Sequence, residues 1–174
     1  MVRVASLKDM VHANYKKKDI AGMTASEQLE KINERTRELV TLQYNTYNRS
    51  LVPLMHQHGI VVMDAFEDLS EAQAAFVDRY FEDNVYPVLT PMAVDASRPF
   101  PLIRNKTLNI AALLSKKKGK AEKEEIEFAT VQVPSVLPRL VHIPSEDGNE
   151  KTFILLEQVI ERNIDKLFLN YDVL

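Results

Sequence analysis

The spacing of apolar residues changes about halfway along this 174-residue chain. In the first half apolar residues recur at helical spacing, and in the second half they alternate or run in short blocks, which is typical of strands. The first predicted helix extends from Met1 to about Tyr15, and its apolar face consists of Val4, Leu7, Met10 and Val11. It has no N-cap, and the charged residues 16–19 followed by Gly22 are expected to end it.

A second, longer helix is predicted to begin at a capping box. Thr24 and Glu27 stand three residues apart, so their side chains can satisfy each other's free backbone amides and start a helix at the next residue, Ala25. The apolar pattern continues to about His58, which corresponds to roughly 33 residues and a length of about 50 Å. Pro53 lacks an amide donor, so we expect it to kink the helix or to restart it near residue 50.

The long helix carries more apolar surface than the first helix can cover. Its apolar stripe consists of Leu29, Ile32, Leu39, Val40, Tyr47, Leu51 and Leu54. An antiparallel partner of roughly 15 residues spans less than half of a rod of about 50 Å. Part of the stripe is therefore expected to protrude or to pack on another chain.

The second half of the chain is predicted to form a small, mainly antiparallel β-sheet domain with helices. Gly59 is expected to end the long helix, and a capping box formed by Ser70 and Gln73 is expected to open another. The predicted elements are a strand at Ile60–Met63, a helix carrying Phe76, Val77, Tyr80, Phe81 and Val85, strands at Leu108–Leu114, Ile126–Val133, Leu140–Ile143 and Thr152–Leu155, and a helix from Glu157 to about Phe168. The charged residues 115–125 are expected to form a hairpin tip. The fold class is α+β, an antiparallel pair of long helices followed by this domain.

Four of the eight prolines lie between Val85 and Leu114. Each proline fixes φ and pushes the preceding residue towards extended geometry, so helix is disfavoured at Tyr86, Thr90, Arg98 and Phe100. The stretch contains no glycine and several apolar residues. We therefore expect a rigid, partly buried connector rather than a flexible linker.

Composition narrows the classes of function. A formal net charge of −3 and a pI near 5.8 give no overall basic field, so a nucleic-acid partner is not expected. The chain has no cysteine, which excludes disulfides and thiolate metal sites and suits the cytoplasm. No apolar run approaches the roughly 20 residues of a membrane helix. We expect a soluble, cytoplasmic protein without a transmembrane segment or a signal peptide.

Most charged and histidine-bearing patterns have a structural explanation. His56 and His58 stand two positions apart on a predicted helix, where their side chains point to different sides, so no shared metal is expected. Acidic residues 64, 67 and 68 precede a helix N-terminus, where negative charge is favoured, and a catalytic carboxylate pair there is the weaker interpretation. The charge of the lysines at residues 116–123 is mostly offset by Glu122, Glu124 and Glu125 within a few residues, which favours a solvated tip over a polyanion site. The four glycines are isolated, so no glycine-rich phosphate loop is present.

Arg3 is the residue whose position suggests binding. It lies between Val2 and Val4 in an otherwise apolar start, from which its side chain could project across a helix bundle towards a ligand. The alternative is an ion pair with an acid of the second helix, because charges on neighbouring helical segments commonly pair.

The chain resembles the bacterial polyphosphate kinases that work through a phosphohistidine. The resemblance rests on MVRVASLKD at the start, YPVLTPMAVDASRPFP and NKTLNIA in the proline-rich stretch, and VQVPSVLPRLVHIP in the strands, and it covers essentially the whole chain. It implies that residues 1–59 are the end of an N-terminal helical domain, incomplete at its start. Residues 60–174 then resemble the first part of a head domain with a phox-homology-like fold, incomplete at its end.

The resemblance implies a parent enzyme that reversibly transfers the terminal phosphate of ATP to polyphosphate with Mg²⁺. The family's phosphorylated histidine and phosphate-binding residues lie beyond the position that matches Leu174, so the chain is expected to be a fragment with no catalytic residue and no metal ligand. Alone it is expected to bind no cofactor and to be inactive. The parent is expected to be a homo-oligomer with dimer contacts from the head domain. The family's adenine-contacting asparagine lies just upstream of the position matching Met1, so Arg3 is expected to face the nucleotide.

Two functions from different classes remain open from the sequence. In the first, the chain belongs to a polyphosphate kinase and supplies scaffold, dimer contacts and one wall of the nucleotide site. In the second, it is a stand-alone interaction module that binds a protein or an acidic lipid headgroup without catalysis. The flanking coding sequence distinguishes them, because an upstream asparagine-bearing helix and downstream histidine-bearing domains are expected only for the first.

Overall fold

A computed structural model describes residues 2–94, 100–116, 126–145, 148 and 150–174. The chain divides into two compact units, Met1–Gln57 and His58–Leu174. The first unit contains α1 (Val2–His12), α2 (Ala25–Thr46), a π-helical turn (Tyr47–Leu51) and α3 (Val52–Gln57). The second contains β1 (Ile60–Val62), α4 (Glu71–Tyr80), β2 (Pro91–Val94), β3 (Asn109–Lys116), β4 (Ile126–Gln132), β5 (Leu140–Ile143), β6 (Lys151–Leu155), α5 (Leu156–Arg162) and β7 (Tyr171–Val173). It also has a π-helical turn at Phe81–Val85 and 3-10 turns at Phe66–Asp68, Tyr86–Val88 and Ile164–Leu167.

The first helix is shorter than predicted. It ends at His12 rather than near Tyr15, and Asn14 adopts a left-handed φ of 54° just after it. Asparagine tolerates this conformation better than most residues. Asn14 therefore takes the helix-ending role that was expected of Gly22, eight residues earlier in the chain. The amide of Tyr15 donates to the Met10 carbonyl oxygen at 2.9 Å, which closes the last turn. The loop that follows is therefore longer than the sequence suggested.

The long helix begins at the predicted capping box and passes Pro53 without a break. Both capping-box hydrogen bonds of Thr24 and Glu27 are present. A π-helical turn at Tyr47–Leu51 precedes the proline, and the amide of Val52 donates to the Tyr47 carbonyl oxygen. A proline crowds the carbonyl four residues back, and the wider π turn gives that carbonyl more room. The irregularity thus falls where the sequence predicted it.

Most of the apolar stripe on α2 and α3 is exposed. Leu29 and Ile32 are half-buried near the start of α2. The exposed stripe residues are Leu39, Val40, Tyr47, Leu51 and Leu54, with exposed fractions between 42% and 51%. The prediction that part of the stripe protrudes is confirmed.

The second unit contains two sheets. The first sheet has the order β1-β6-β5, with β1 parallel and β5 antiparallel to the central strand. The second has the order β2-β4-β3-β7, and its neighbouring strands are antiparallel. The predicted β3–β4 hairpin is confirmed, with Ala112 opposite Ala129. Most of its predicted tip, residues 117–125, lies outside the described residues.

The proline-rich stretch differs from the connector that was predicted. Its residues Pro91–Val94 form β2, an edge strand that pairs with β4; a proline suits the edge because it has no amide to donate. Tyr86, which precedes Pro87, was expected to avoid helical geometry but lies in a 3-10 turn with φ −50° and ψ −45°. The preceding π-helical turn carries helical geometry up to the proline. Arg98 lies outside the described residues.

The C-terminal elements also depart from the sequence prediction. The final helix is predicted as one piece to about Phe168, but α5 ends at Arg162 and a 3-10 turn follows at Ile164–Leu167. Tyr171–Val173 forms β7, a strand that was not predicted, and it pairs with the end of β3. Three residues are too few for an alternating pattern to stand out in the sequence.

One hydrophobic core holds the second unit together. Both sheets, α4 and α5 contribute to it, and its buried residues are Val77, Phe81, Val85, Ala112, Leu114, Ala129, Val131, Val133, Val141, Ile143, Ile154, Leu156, Val159, Ile160 and Phe168. The α+β class with mostly antiparallel sheets is confirmed. The phox-homology-like description and the antiparallel pairing of long helices stay predictions. Among the described residues, no helix has both the length and the apolar character that crossing a membrane requires.

Candidate functional site

A groove beside Arg3 is the best candidate site in the first unit. Its volume is about 640 Å³, within the range of small-molecule sites. The floor includes Leu7, Ala25 and Gln28, which are 4%, 3% and 8% exposed. We call it the Arg3 groove; it is lined by Val2, Arg3, Ser6, Leu7 and Met10 of α1, Tyr15, Lys17, Lys18 and Asp19 of the following loop, and Ala25 and Gln28 of α2.

Arg3 is held in the groove by a neutral partner. Its Nη2 atom donates to Gln28 Oε1 at 2.8 Å. The Gln28 Nε2 atom in turn donates to the Met23 carbonyl oxygen at 3.4 Å. The carboxylate of Asp19 is 4.0 Å from the same Arg3 nitrogen, and the Arg3 side chain is 72% exposed. At that distance and exposure the ion pair is weak, so the guanidinium keeps its charge available to the groove.

This arrangement corrects the alternative interpretation of Arg3. An acid of the second helix was expected as its partner, but α2 supplies the amide of Gln28, and the nearby acid, Asp19, belongs to the loop before α2. The loop after α1 folds back and brings Asp19 close to Arg3. The spacing of charged residues on the two helices does not predict this path of the loop.

Asp19 also fixes the loop that forms one wall of the groove. Its Oδ1 atom accepts hydrogen bonds from the amides of Ala21 and Met23 at 2.9 and 3.0 Å. Its own amide donates to the Met23 carbonyl oxygen at 2.9 Å, and Gly22 closes the turn with a φ of 75°. Aspartate commonly organises turns through such local bonds. The wall of the groove that includes Asp19 is therefore a structured turn.

Glu27 is engaged in the start of α2 rather than in the groove. Its Oε2 atom accepts from the Thr24 amide at 2.7 Å and from the Thr24 hydroxyl at 2.9 Å. These two hydrogen bonds, the backbone one foremost, hold the pKa of Glu27 below its usual value. Among the described residues, the charged side chains that line the groove are the three cations Arg3, Lys17 and Lys18 and the carboxylate of Asp19.

Sequence reasoning singled out Arg3 but missed Lys17, Lys18 and Gln28. The run of three lysines at residues 16–18 was interpreted as a favourable charge at a helix end. The structure places two of these lysines on the groove and leaves Lys16 off it. The run of lysines is visible in the sequence. Which of them line the groove with Arg3 depends on the path of the loop, and the sequence alone does not show that path.

The other candidates for chemistry do not come together. His56 and His58 are both exposed. Among the described residues, no three histidine, aspartate or glutamate side chains are grouped so as to hold a metal ion. Glu67 and Asp68 lie in a 3-10 turn on the surface before α4. The lysine-rich tip falls outside the described residues, apart from Lys116, which pairs with Glu127 at 2.8 Å.

Two ion pairs in the second unit are structural. Arg162 donates from Nε and Nη2 to the two carboxylate oxygens of Asp78 at 2.8 and 3.0 Å, and joins α5 to α4. These hydrogen bonds lower the pKa of Asp78. Arg139 binds Glu157 in a similar way. Burial works to raise the pKa of Glu157, but the hydrogen bonds from Arg139 lower it, and the net shift is downward.

Other depressions are less suited to a ligand. A larger one, of about 1400 Å³, is lined by α2 residues alone, from Ser26 to Asn45, so it is the open side of one helix. A smaller one of about 290 Å³ lies beside the start of α4 and includes Ser70 and Gln73. Those two side chains already serve the capping box of α4.

Two family models match the chain. The model described as "Polyphosphate kinase N-terminal domain" matches residues 1–63, and the model described as "Polyphosphate kinase middle domain" matches residues 72–174. The two matches follow each other along the chain without overlap.

Curated relatives and a solved structure are similar over nearly the whole chain. A polyphosphate kinase of Lactiplantibacillus plantarum is 50% identical over 172 residues, which is 99% of this chain and 23% of that protein. One from Halalkalibacterium halodurans is 47% identical over 174 residues, 99% of this chain and 24% of that protein. The chain thus spans about a quarter of the length of these relatives. The crystal structure of the polyphosphate kinase from Porphyromonas gingivalis has the same fold over 99% of this chain and 24% of its own, with a TM-score of 0.79 and 24% identity.

Proposed function

Because this chain belongs to the polyphosphate kinase family, we propose that it is part of an enzyme that reversibly transfers the terminal phosphate of ATP to polyphosphate. The observation that carries the proposal is the 50% identity to the Lactiplantibacillus plantarum polyphosphate kinase over 99% of the chain. The adjoining matches to the N-terminal and middle domain models support it. The chain supplies scaffold, dimer contacts and one wall of the nucleotide site.

The two units take different parts in this proposal. Residues 1–59 are the end of a helical domain and carry the Arg3 groove, where Arg3 faces the nucleotide. Residues 60–174 are a head domain whose single core, built from two sheets and two helices, provides rigid support. The dimer contacts of a homo-oligomeric parent belong to this head domain.

Mg²⁺ is implied for the parent enzyme, and this chain is not assigned to hold it. Magnesium prefers carboxylate and phosphate oxygens and usually keeps several waters. The described residues bring no set of three carboxylate or histidine side chains together, and the carboxylate of the groove, Asp19, is occupied by its own turn. When bound, the metal neutralises charge on the nucleotide phosphates.

A chimeric enzyme tests the proposal directly. The chain replaces the matching segment of the Lactiplantibacillus plantarum polyphosphate kinase, which aligns over 172 residues. The chimera is expected to make polyphosphate from ATP. In it, Arg3→Ala should raise the KM for ATP about tenfold, because a charge-assisted contact to the nucleotide is lost, with little change in melting temperature since the side chain is 72% exposed.

The matched control is Lys8→Ala, which removes a charge from an exposed residue of the same helix outside the groove. It should leave the KM for ATP within about twofold, an effect of the size that exposed charges usually have. A folded chimera without polyphosphate synthesis would contradict the proposed function. Equal KM values for the two variants would make Arg3 an ordinary surface arginine.

The 174-residue chain alone is expected to be inactive. Phosphoryl transfer needs an attacking group and several cations arranged on the transferring phosphate, and the chain spans about a quarter of its relatives. Incubation with radiolabelled ATP and Mg²⁺ should give neither polyphosphate nor a phosphohistidine. Formation of either product would show that the chain contains a complete site.

A second candidate function is favoured by the exposed stripe of the long helix. Leu42 and Tyr44, beside the stripe, are 63% and 62% exposed, and exposed apolar patches mark protein interaction sites. In this alternative the chain is a stand-alone module that binds a protein or an acidic headgroup. It predicts that the chimera described above lacks activity although the chain is folded.

A further inference from the structure

We propose that the π-helical turn Tyr47–Leu51 is a hinge, at which α3 changes its direction relative to α2. The hinge works by exchange between a π register, in which an amide donates to the carbonyl five residues back, and an α register, in which it donates four residues back. The inference is separate from the proposed function, because it concerns the long helix itself. It gives the first unit, which extends to Gln57, a means of moving the end of that helix.

The first argument is that Pro53 leaves both registers imperfect. In a regular α-helix the amide of residue 53 donates to the carbonyl oxygen of Arg49, but a proline has no amide and its ring crowds that carbonyl. In the π turn the amide of Val52 donates to the Tyr47 carbonyl oxygen, five residues back. A π turn relieves the crowding, but it is itself a rare form of helix. Two imperfect registers therefore compete at this point of the chain.

The second argument is that the local sequence weakens a regular helix. The hydroxyl of Thr46 donates to the Leu42 carbonyl oxygen at 2.8 Å, and this kind of bond to the carbonyl four residues back often bends helices. Asn48 and Ser50 lie inside the turn and have low helix propensity. The residues before the proline therefore give the α register little additional support.

The third argument is that packing does not fix this turn. Its five residues are all exposed and none is buried, and Tyr47 and Leu51 are 42% and 48% exposed. Segments with few buried contacts and solvent-exposed backbone hydrogen bonds are the ones that open most easily. A change of register here therefore takes no side chain out of a core.

The π-helical turn of the second unit, Phe81–Val85, provides the comparison within the same chain. It also ends two residues before a proline, and the amide of Tyr86 donates to the Phe81 carbonyl oxygen. Phe81 and Val85 are both 0% exposed and belong to the core. A shift of one residue rotates side chains by about 100° around the helix axis, which would remove both from the core. Packing therefore fixes the second turn and leaves the first able to move.

The hinge acts on the apolar stripe of the long helix. Leu39 and Val40 lie before the turn, and Leu54 lies after it. A one-residue change of register turns Leu54 by about 100° relative to the two residues of α2. The hinge thus decides whether the stripe is one continuous apolar surface or two surfaces that point in different directions.

Amide hydrogen exchange of the 174-residue chain, resolved to single residues and measured at low micromolar concentration, tests the hinge. The Val52 amide is expected to be protected at least about tenfold less than the amides of His56 and Gln57, because the helix opens at the turn. Fraying from the end of α3 gives the opposite order, since the terminal residues then open first. Protection that decreases steadily from Val52 to Gln57 would overturn the proposal.

Two matched proline variants show whether the competition between registers is the cause. Pro53→Ala supplies the missing amide and removes the ring, so the α register is favoured and exchange of the Val52 amide should slow at least about tenfold. Pro87→Ala makes the same change after the buried turn. It should change exchange of the Tyr86 amide by less than about threefold, because the core fixes that turn. Equal slowing in the two variants, or no slowing in Pro53→Ala, would contradict the hinge.

Arg49 provides an independent measurement, because trypsin cuts after arginine only where the chain opens locally. The first cut within the long helix is expected after Arg49 rather than after Arg35 or Arg37, which are exposed in the regular part of α2. Pro53→Ala should slow the cut after Arg49 at least about tenfold and change the cut after Arg37 by less than about threefold. Faster cutting after Arg37 than after Arg49 in the unaltered chain would place the flexible point elsewhere and defeat the inference.

Discussion

At the scale of single residues, paired charges explain more of the structure than candidate chemistry does. The bidentate pair of Arg162 and Asp78 connects the last helix to α4, with exposed side-chain fractions of 28% and 35%. The pKa of Asp78 lies below its usual 3.8, mainly through the hydrogen bonds from Arg162. A group with a lowered pKa stabilises the fold at pH values above its unfolded pKa.

Asp78→Asn is expected to lower the free energy of unfolding by about 1 kcal/mol at neutral pH, a value reduced for the partial exposure of the pair. The difference between the two proteins should persist down to the usual pKa of 3.8 and disappear as the pH falls through the lowered pKa of Asp78. Urea unfolding at several pH values measures it.

The matched control for this pair is Glu82→Gln. Lys166 binds Glu82 at 2.7 Å between the same two regions, but the side chains are 42% and 63% exposed. Its loss should therefore change the unfolding free energy by less than about 0.5 kcal/mol. A difference for Asp78→Asn that does not diminish at acid pH would contradict an ionic origin of its effect.

At the scale of elements, two π-helical turns precede two prolines. Tyr47–Leu51 ends two residues before Pro53, and Phe81–Val85 ends two residues before Pro87. In both cases the wider turn lets helical geometry reach the residue before the proline. In the second unit this turn also directs Phe81 into the core, where it is fully buried and lies edge-on to Tyr86 at 6.0 Å between ring centroids.

Phe81→Ala is expected to cost about 3 to 5 kcal/mol in the free energy of unfolding, the usual range for a fully buried phenylalanine. Phe76→Ala, on the same helix, removes the same atoms from a side chain that is 37% exposed and should cost about 1 kcal/mol. Chemical unfolding of both variants measures the difference. Similar losses in the two variants would contradict the expectation that Phe81 contributes more to the core than Phe76.

At the scale of the whole molecule, the stripe of α2 and α3 leaves a row of apolar side chains exposed. Its residues Leu39, Leu51 and Leu54 are each about half exposed. Contiguous exposed apolar surface favours association. Among the described residues, α1 covers only the start of α2, around Ala25 and Gln28.

The 174-residue chain is therefore expected to self-associate or to be poorly soluble on its own. Leu51→Glu with Leu54→Glu should reduce the association, because charge on the stripe opposes burial. Thr41→Glu with Asn45→Glu, which adds the same charge at exposed polar positions of α2, should reduce it less. Light scattering across a dilution series measures both, and a stable wild-type monomer at tens of micromolar would contradict the prediction.

The sequence by itself determined the features that depend on near neighbours. The two capping boxes join residues three positions apart, at Thr24 and at Ser70, and both are present. The long helix and the β3–β4 hairpin follow from continuous periodic patterns. The family resemblance also came from the sequence, because it rests on residue order. These signals are local, and tertiary packing did not override them.

Tertiary structure decided what depends on distant partners. β1 pairs with β6, about ninety residues away, β2 pairs with β4, and the unpredicted β7 pairs with β3 in the second sheet. Strand pairing of this kind has no local signal. The same holds for the Arg3 groove. Lys17 and Lys18 line this groove together with Arg3 because of the path of the loop, in which Asp19 organises a turn and which precedes the buried Gln28.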